Sequence, residues 1–370
     1  MPTVLVSGAS VAGTALAYWL ERQGFTVTVV ERCSGLRPGG QAIDVRGPAL
    51  TVLDRMGLLS AARTAKTGIR GMSAVDAQGN EVQRNDEVTA TGGIIATPDI
   101  ELLRDDLVAL MYAASTEVEY LFDDTITAMD ESVDSVLVTF EHGVDRVFDL
   151  VIGADGLHST VRRLVFGPEA RFARRMGKFL AVCTAPNFLD LDHWQLWYND
   201  DNARQFAGVY SARGNAECRI MFGFTDETLN LDYRDVALQR NEIERRFSET
   251  GRFTEQLLRA MRDASDFYCD EMSQIVMDRW SGGRVGLVGD AAHCASPMSG
   301  QGTSLALIGA YVLAEELALA GGNQRSGFLQ YEARLRQYVL DTQELAFADS
   351  SDDEAWWNRF YSVINSFTLT

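Results

Sequence analysis

Three short stretches bring together residue types and spacings suited to holding a phosphate-bearing ligand. The first is VSGASVAG at residues 6–13, where Gly8, Ser10 and Gly13 stand at the three glycine places of a dinucleotide fingerprint. Such a turn needs Gly8 to bend tightly, a small residue at 10 so the backbone can approach a pyrophosphate, and Gly13 for close helix packing. Ser10 departs from the strict pattern but keeps the chain small and adds a hydroxyl. Val11, Ala12 and Gly13 then open a helix whose free amides favour an anion. Glu31 ends the next strand, where a carboxylate can accept both hydroxyls of an adenosine ribose. The bland reading, a glycine turn and an unrelated surface glutamate, has to explain strand, turn, helix, strand and acid arriving in that order.

The second stretch is VIGADGLHSTVRR, with Asp155-Gly156 following an apolar strand and Ser159 opening a helix that carries Arg162 and Arg163. Asp-Gly alone is foremost a turn dipeptide. The third is RVGLVGDAAHCASPMSGQGTSLAL, in which Gly289-Asp290 ends a strand and Pro297 stiffens a loop. Ser299 to Thr303 then lead a glycine-rich turn, with Gly300 and Gly302, into a helix able to hold an anion. His293, in that loop, reads first as a structural hydrogen-bonder and second as a base. No triad and no metal-ligand cluster is visible, and no residue is assigned as a catalytic acid, base or nucleophile.

The elements that must position these stretches are legible from periodicity. Thr3–Ser7, the helical ALAYWLERQG and TVTVV form a βαβ unit, the opening of a doubly wound parallel sheet. Residues 48–66 and 99–115 read as amphipathic helices, and residues 117–152 as hairpins ending in a buried strand. Between 171 and 269 the pattern changes to aromatic-rich strands and one charged helix, VALQRNEIERRFSE. The predicted fold is α/β. A Rossmann-like domain (1–72, 97–170 and 270–322) is interrupted by a β-rich substrate domain (73–96 and 171–269), and a helical segment closes the chain (323–370) with an acidic patch near Asp349 to Glu354. Trp194, Trp197, Tyr198, Phe206, Tyr210, Phe222 and Phe224 either line a pocket for a flat apolar molecule or fill the core, and register decides which.

Composition narrows the partners. Asp+Glu number 52 against 33 Lys+Arg, a formal charge of −19, which repels a phosphate backbone and anionic lipid alike. Neither nucleic acid nor membrane is expected as a partner. The stretch LALIGAYVLAEELALA, broken by Glu315 and Glu316, reads as too short to span a bilayer. Five scattered cysteines form no C-x-x-C pair, and the chain opens without a basic leader, so a reducing cytoplasm is the expected setting, as monomer or homodimer.

Together the three stretches resemble the class A flavoprotein monooxygenases, and the likeness covers nearly the whole chain. GGQAIDVRG, ELLRDDLVALM and GQGTSLALIGAYVLAEEL look closest to the tetracycline-inactivating and polyketide-tailoring members. The resemblance implies non-covalent FAD, with Glu31 and Arg32 at the adenosine end, Arg104 and Asp290 along the ribityl chain, and Asp155 shared between FAD and the pyridine nucleotide. It places the amides around Gly300 to Ser304, with Gly302 and Thr303, at the pyrimidine edge of the isoalloxazine; Ser304 stands where many members carry Asn. Arg46 sits where the flavin-facing surface begins and is read equally as a cofactor contact or a solvated arginine. The implied reaction is reduction of FAD by NAD(P)H, formation of a flavin hydroperoxide with O2, and oxygenation of an aromatic or polycyclic small molecule. A reductase or oxidase that never oxygenates is the alternative, and a non-enzymatic flavin-binding regulator the third reading.

Overall fold

The computed structural model describes residues 1–347 and 353–369. Thr3–Ser7 lies in the middle of a six-stranded sheet, between the parallel strands Thr26–Glu31 and Leu150–Gly153. Glu119–Phe122 extends the sheet on one side, and Val285–Leu287 with the short Ser281–Gly282 on the other. Leu150–Gly153 is buried along its whole length, as a central parallel strand covered on both faces must be. Helix Gly302–Leu319 packs against Val11–Arg22 and Gln324–Leu345. Apart from Glu315 and Glu316 it is largely apolar and reaches the length and hydropathy of a membrane-crossing helix, more than the sequence pattern suggests, but 67% of it is buried inside the protein.

A second, seven-stranded sheet takes Met72–Val75 and Glu81–Asn85 from one part of the chain and five strands between Ala173 and Ile275 from another. One face packs beneath two helices, Val236–Phe247 and Arg252–Asp263. The sequence reading expected only the first of these, although Phe253, Leu257, Leu258 and Met261 of the second are buried at helical spacing. Other boundaries differ too. The helix expected over 48–66 is two, Pro48–Arg55 and Leu59–Thr64, separated where Gly57 adopts φ +73°. The helix expected from 99 begins at Arg104, because Ile100–Leu103 pairs with Ala42–Val45 as a strand. The closing segment holds two helices, Gln324–Leu345 and Asp353–Ile364. Of the acidic patch, Asp349 to Asp352 lie outside the described residues, and Glu354 is exposed.

The seven aromatics divide by register. Phe222 and Phe224 pack in the core under the two helices, with Tyr198 partly buried against it. Trp197, Phe206 and Tyr210 belong to the opposite face, in a cluster with Ala42 and Ile69 of the first part of the chain. Two strand glycines make that face possible. A Cβ at Gly208 would stand 2.2 Å from the Trp197 ring, and one at Gly223 would stand 2.0 Å from Phe206, so both rings lie flat across a neighbouring strand. Trp194 stands just before the strand Gln195–Asp200, its indole N–H donating to Ser73 Oγ at 2.8 Å and its ring covered by Arg84 at 3.9 Å.

Candidate functional site

The three glycine-containing turns meet at the carboxyl ends of adjacent strands, the place where open parallel sheets bind their ligands. Gly8 has φ +104°, and a Cβ there would lie 2.6 Å from the carbonyl oxygen of Ala154, directly before Asp155. A Cβ on Gly13 would fall 1.8 Å from Gly8 O, and one on Gly289 2.7 Å from Ala12. The cradle therefore closes only on glycine. Ser10 caps the helix Val11–Arg22 by position without a side-chain bond to it, which leaves its half-buried hydroxyl beside the amides of Val11, Ala12 and Gly13. Glu31 reaches this turn, accepting N–H bonds from Ala9 at 2.8 Å and Cys33 at 3.0 Å. Arg32 is exposed next to it.

Arg104 turns back from the first residue of its helix to donate through Nη2 to the carbonyl oxygens of Arg37 (2.8 Å) and Gly39 (2.7 Å). Burial, followed by the nearby Arg37 cation, lowers its pKa to about 10. Its Nε is buried with no hydrogen-bond partner, an unmet donor aimed at an acceptor the chain does not supply. Asp290 opens to solvent, yet protein walls it in closely enough for burial to raise its pKa; the Cys294 thiol bonds to it. Such a carboxyl suits the hydroxyl groups of a polyol. These features fit FAD: a glycine cradle and helix amides for the pyrophosphate, an acid at the ribose end, and an arginine donor and a carboxyl along the chain between.

Asp155 does a different job in the chain as folded. Its carboxylate takes the Ser159 hydroxyl and the amides of Thr160 (2.8 Å) and Val161 (3.1 Å), capping the helix Thr160–Val165 while its backbone abuts Gly8. His293 is buried, with Nε2 3.2 Å from the Tyr331 hydroxyl, and burial drives its pKa down to about 3, so it is a neutral packing residue. Ser304 is likewise committed: its hydroxyl accepts the Arg46 N–H at 3.0 Å and leans on Asp44 O at 3.4 Å.

Past Asp290 the chain forms the short turn Pro297–Ser299, and Gly300 takes φ +61° before the 18-residue helix from Gly302. The first amides of that helix, at Gly302, Thr303 and Ser304, carry the positive end of its dipole. Against this turn lies a cavity of about 250 Å³ bounded by Pro297, Gly300, Thr91, Gly93, Arg46 and three aromatics from the last helix, Trp356, Trp357 and Phe360. Trp356 and Phe360 stack at 4.9 Å, and Trp357 meets Trp356 edge-on at 4.6 Å. Sequence reasoning missed these three. Their signal was the one-turn spacing of Trp356 with Phe360 and Trp357 with Tyr361 on one helix face.

A second group missed in the sequence holds the cavity's other wall. Gln195, fully buried, accepts from Ala90 N–H (3.0 Å) and Trp197 Nε1 (2.9 Å) and donates to Thr91 Oγ1 (2.6 Å). It pins the hairpin Val88–Ile94 onto the second sheet. Arg46 is not solvated, and it lines the cavity beside the turn Pro297–Gly300. It is buried in an ion cluster with Asp44 (2.8 Å) and Asp99 (3.6 Å), donates to Gly92 O at 2.8 Å, and lies 5.2 Å over the Phe360 ring.

The FAD binding domain family matches residues 1–344. An uncharacterised protein of Mycobacterium tuberculosis is 61% identical over 346 residues, 93% of this chain and 92% of its own length. A flavin-dependent monooxygenase of Legionella longbeachae is 37% identical over 341 residues, 92% of this chain and 87% of its own. The crystal structure of the tetracycline destructase Tet(51) superposes with a TM-score of 0.90 at 33% identity, covering 100% of this chain and 99% of that one. CtdE in complex with FAD shares the fold, at 19% identity and a TM-score of 0.75 over 98% and 99% of the two chains.

Proposed function

The chain belongs to the FAD binding domain family and is an FAD-dependent monooxygenase, and from that premise we propose that it uses NAD(P)H and O2 to oxygenate a fused-ring aromatic of the polyketide or tetracycline type. The observation that carries the substrate class is the cavity itself, with three aromatic side chains facing the turn Pro297–Gly300. Flat apolar rings bind where aromatic faces and edges converge and a few polar groups set orientation. The likeness to a tetracycline destructase supports the same class, and the five unpaired cysteines support work in a reducing cytoplasm.

FAD, once bound and reduced, supplies the electrons that activate dioxygen for transfer to the substrate. The chain's own residues do the rest. Gly8, Ser10 and Gly13 with the amides of Val11 and Ala12 hold the pyrophosphate, Glu31 and Arg32 the adenosine end, and Arg104 and Asp290 the ribityl chain. Asp155 acts by fixing the turn on which Gly8 rests. Gly302 and Thr303 present amides at the positive end of a helix dipole, where negative charge growing on a reduced ring is stabilised, while the Gly300 N–H is taken by Pro297 O and shapes the turn before them. Trp356, Trp357 and Phe360 exclude water and hold the substrate plane. No general base is required of His293, which burial keeps neutral.

The test is an absorption spectrum of the purified protein followed by anaerobic NADPH addition with and without anthraquinone or tetracycline. The proposal expects yellow protein, bleached faster in the presence of one of these ligands. A protein that binds no added FAD would overturn it, and bleaching that no fused-ring ligand accelerates would return the flavin-reductase reading.

A further inference from the structure

The loop from Arg37 to Gln41 lies between the strands Thr26–Glu31 and Ala42–Val45, belongs to no helix or strand, and turns through two left-handed glycines, Gly39 (φ +71°) and Gly40 (φ +98°). It is pressed from both sides. A Cβ on Gly40 would stand 2.7 Å from Arg104 Nε, and one on Gly39 2.0 Å from Oδ2 of Asp266, a carboxylate held by Thr184 of the second sheet. The loop in turn holds Arg104, whose Nη2 donates to Arg37 O and Gly39 O. Arg104 Nη1 has no partner in the chain and is not shut off from solvent, so it is the donor left open to a ligand.

Further groups of the second sheet grip the same loop. Arg219, 1% exposed, donates through Nε to Gly40 O at 3.0 Å, and the Tyr210 hydroxyl accepts the Ala42 N–H at 2.7 Å. Arg213, in the tight turn between the strands Gln205–Ala212 and Glu217–Thr225, forks onto Asp105 (2.7 Å) and Asp106 (2.6 Å), the two residues that follow Arg104. Asp105 passes this hold to the loop, because the same Oδ2 accepts the Gly39 N–H at 2.9 Å. Glu217 ties the two arginines together, 3.2 Å from Arg213 and 2.9 Å from Arg219. Arg213 makes these contacts from φ +49°, a conformation that costs a non-glycine residue and persists only where its surroundings demand it.

Resting on the reading of Arg104 as a donor to the ribityl chain, we propose that Arg213 is a positioning residue of the flavin site, with Glu217 and Arg219 completing the clamp. It never touches FAD. Through Asp105 and the glycine pair it sets where the Arg104 guanidinium stands, so a residue of the substrate sheet governs how tightly the other domain holds its cofactor.

The test is the affinity of the apoprotein for FAD, read by quenching of flavin fluorescence, in a double-mutant cycle on Arg213 and Arg104. A hydrogen bond from a charged donor corresponds to roughly tenfold or more. R104Q should weaken FAD binding by ~10-fold or more, and R213Q, which leaves Arg104 in place but unsupported, by roughly tenfold. The double variant should bind no more weakly than R104Q alone, because Arg213 then has nothing left to position. R213K keeps the charge without the fork, should recover part of the loss, and supplies the same cycle if R213Q does not fold. R262Q is the control: it breaks the pair with Glu244 between the helices Val236–Phe247 and Arg252–Asp263, and FAD affinity should hold. Losses that multiply in the double variant, or an R213Q that binds FAD as the wild type does, overturn the positioning role while leaving Arg104 at the flavin. An R104Q with unchanged affinity overturns the placing of Arg104, and this inference with it.

Discussion

His158 provides the sharpest test of the energetics, because its environment predicts a pH dependence of definite sign. Its Nε2 lies 2.9 Å from Asp270 and its Nδ1 3.1 Å from Glu169, and the ring stacks on Tyr233 at 3.6 Å between centroids. The contacts tie the Asp-Gly turn to the strand Phe267–Ile275 of the second sheet and to the loop before Val236. Burial opposes the charge, but the hydrogen bonds and charges of Asp270 and Glu169 outweigh it and raise the pKa from 6.5 to about 9. A histidine whose folded pKa exceeds its unfolded value stabilises the fold fully below the unfolded value, and that stability is lost as pH rises through the folded one. The gap corresponds to ~3 kcal/mol. H158Q keeps a polar side chain and removes the charge. Urea unfolding of both proteins at pH about 6 and about 10 measures the difference, in which every other titrating group cancels. The variant should be ~3 kcal/mol less stable at the lower pH, and the gap should close to the small packing remainder at the higher one. A gap equal at both would refute the reasoning, since a merely steric role for the ring does not titrate.

Three further outcomes follow from the packing. Gly13→Ala puts a methyl 1.8 Å from Gly8 O, so the helix must withdraw by more than an ångström; two lost amide bonds to phosphate should weaken FAD binding by roughly 100-fold or more, read by quenching of flavin fluorescence. Gly223→Ala forces Phe206 off its strand, 2.0 Å from the new methyl, and should cost about 1–3 kcal/mol in thermal unfolding with little change in FAD affinity. Phe360→Ala removes both a cavity wall and the ring under Arg46, and should raise KM for a fused-ring substrate by roughly tenfold while FAD binding holds.

The parts of the molecule that were legible in the sequence are those governed by local rules. A βαβ unit announces itself because periodicity, glycine spacing and the closing acid all lie within one short window, and Gly8, Gly13 and Gly289 are glycine for steric reasons that their neighbours confirm. The β-rich insertion was visible through its aromatic strands. What the sequence hid depends on contacts between distant residues. Which face of the second sheet each strand aromatic takes is set by register, and Gly208 and Gly223 were the unread clue to Trp197 and Phe206. Ser304 and Arg46 stand 258 positions apart and fix one another through a single hydrogen bond. The wall formed by Trp356, Trp357 and Phe360 comes from a helix that local pattern marks only as amphipathic, and nothing local says that it folds back over Pro297–Gly300. Asp155 shows the reverse case: a motif residue whose carboxylate, in the fold, is occupied in capping a helix.

The central claim, that this chain transfers an oxygen atom from O2 to a fused-ring substrate held against the turn Pro297–Gly300, is tested most directly with isotopically labelled dioxygen. The FAD-loaded enzyme, NADPH and the fused-ring ligand that most accelerates bleaching are incubated under the labelled gas, and the product mass is read. The account predicts one labelled oxygen atom in the product for each substrate turned over. Consumption of NADPH with hydrogen peroxide released and no label in the organic product would contradict it.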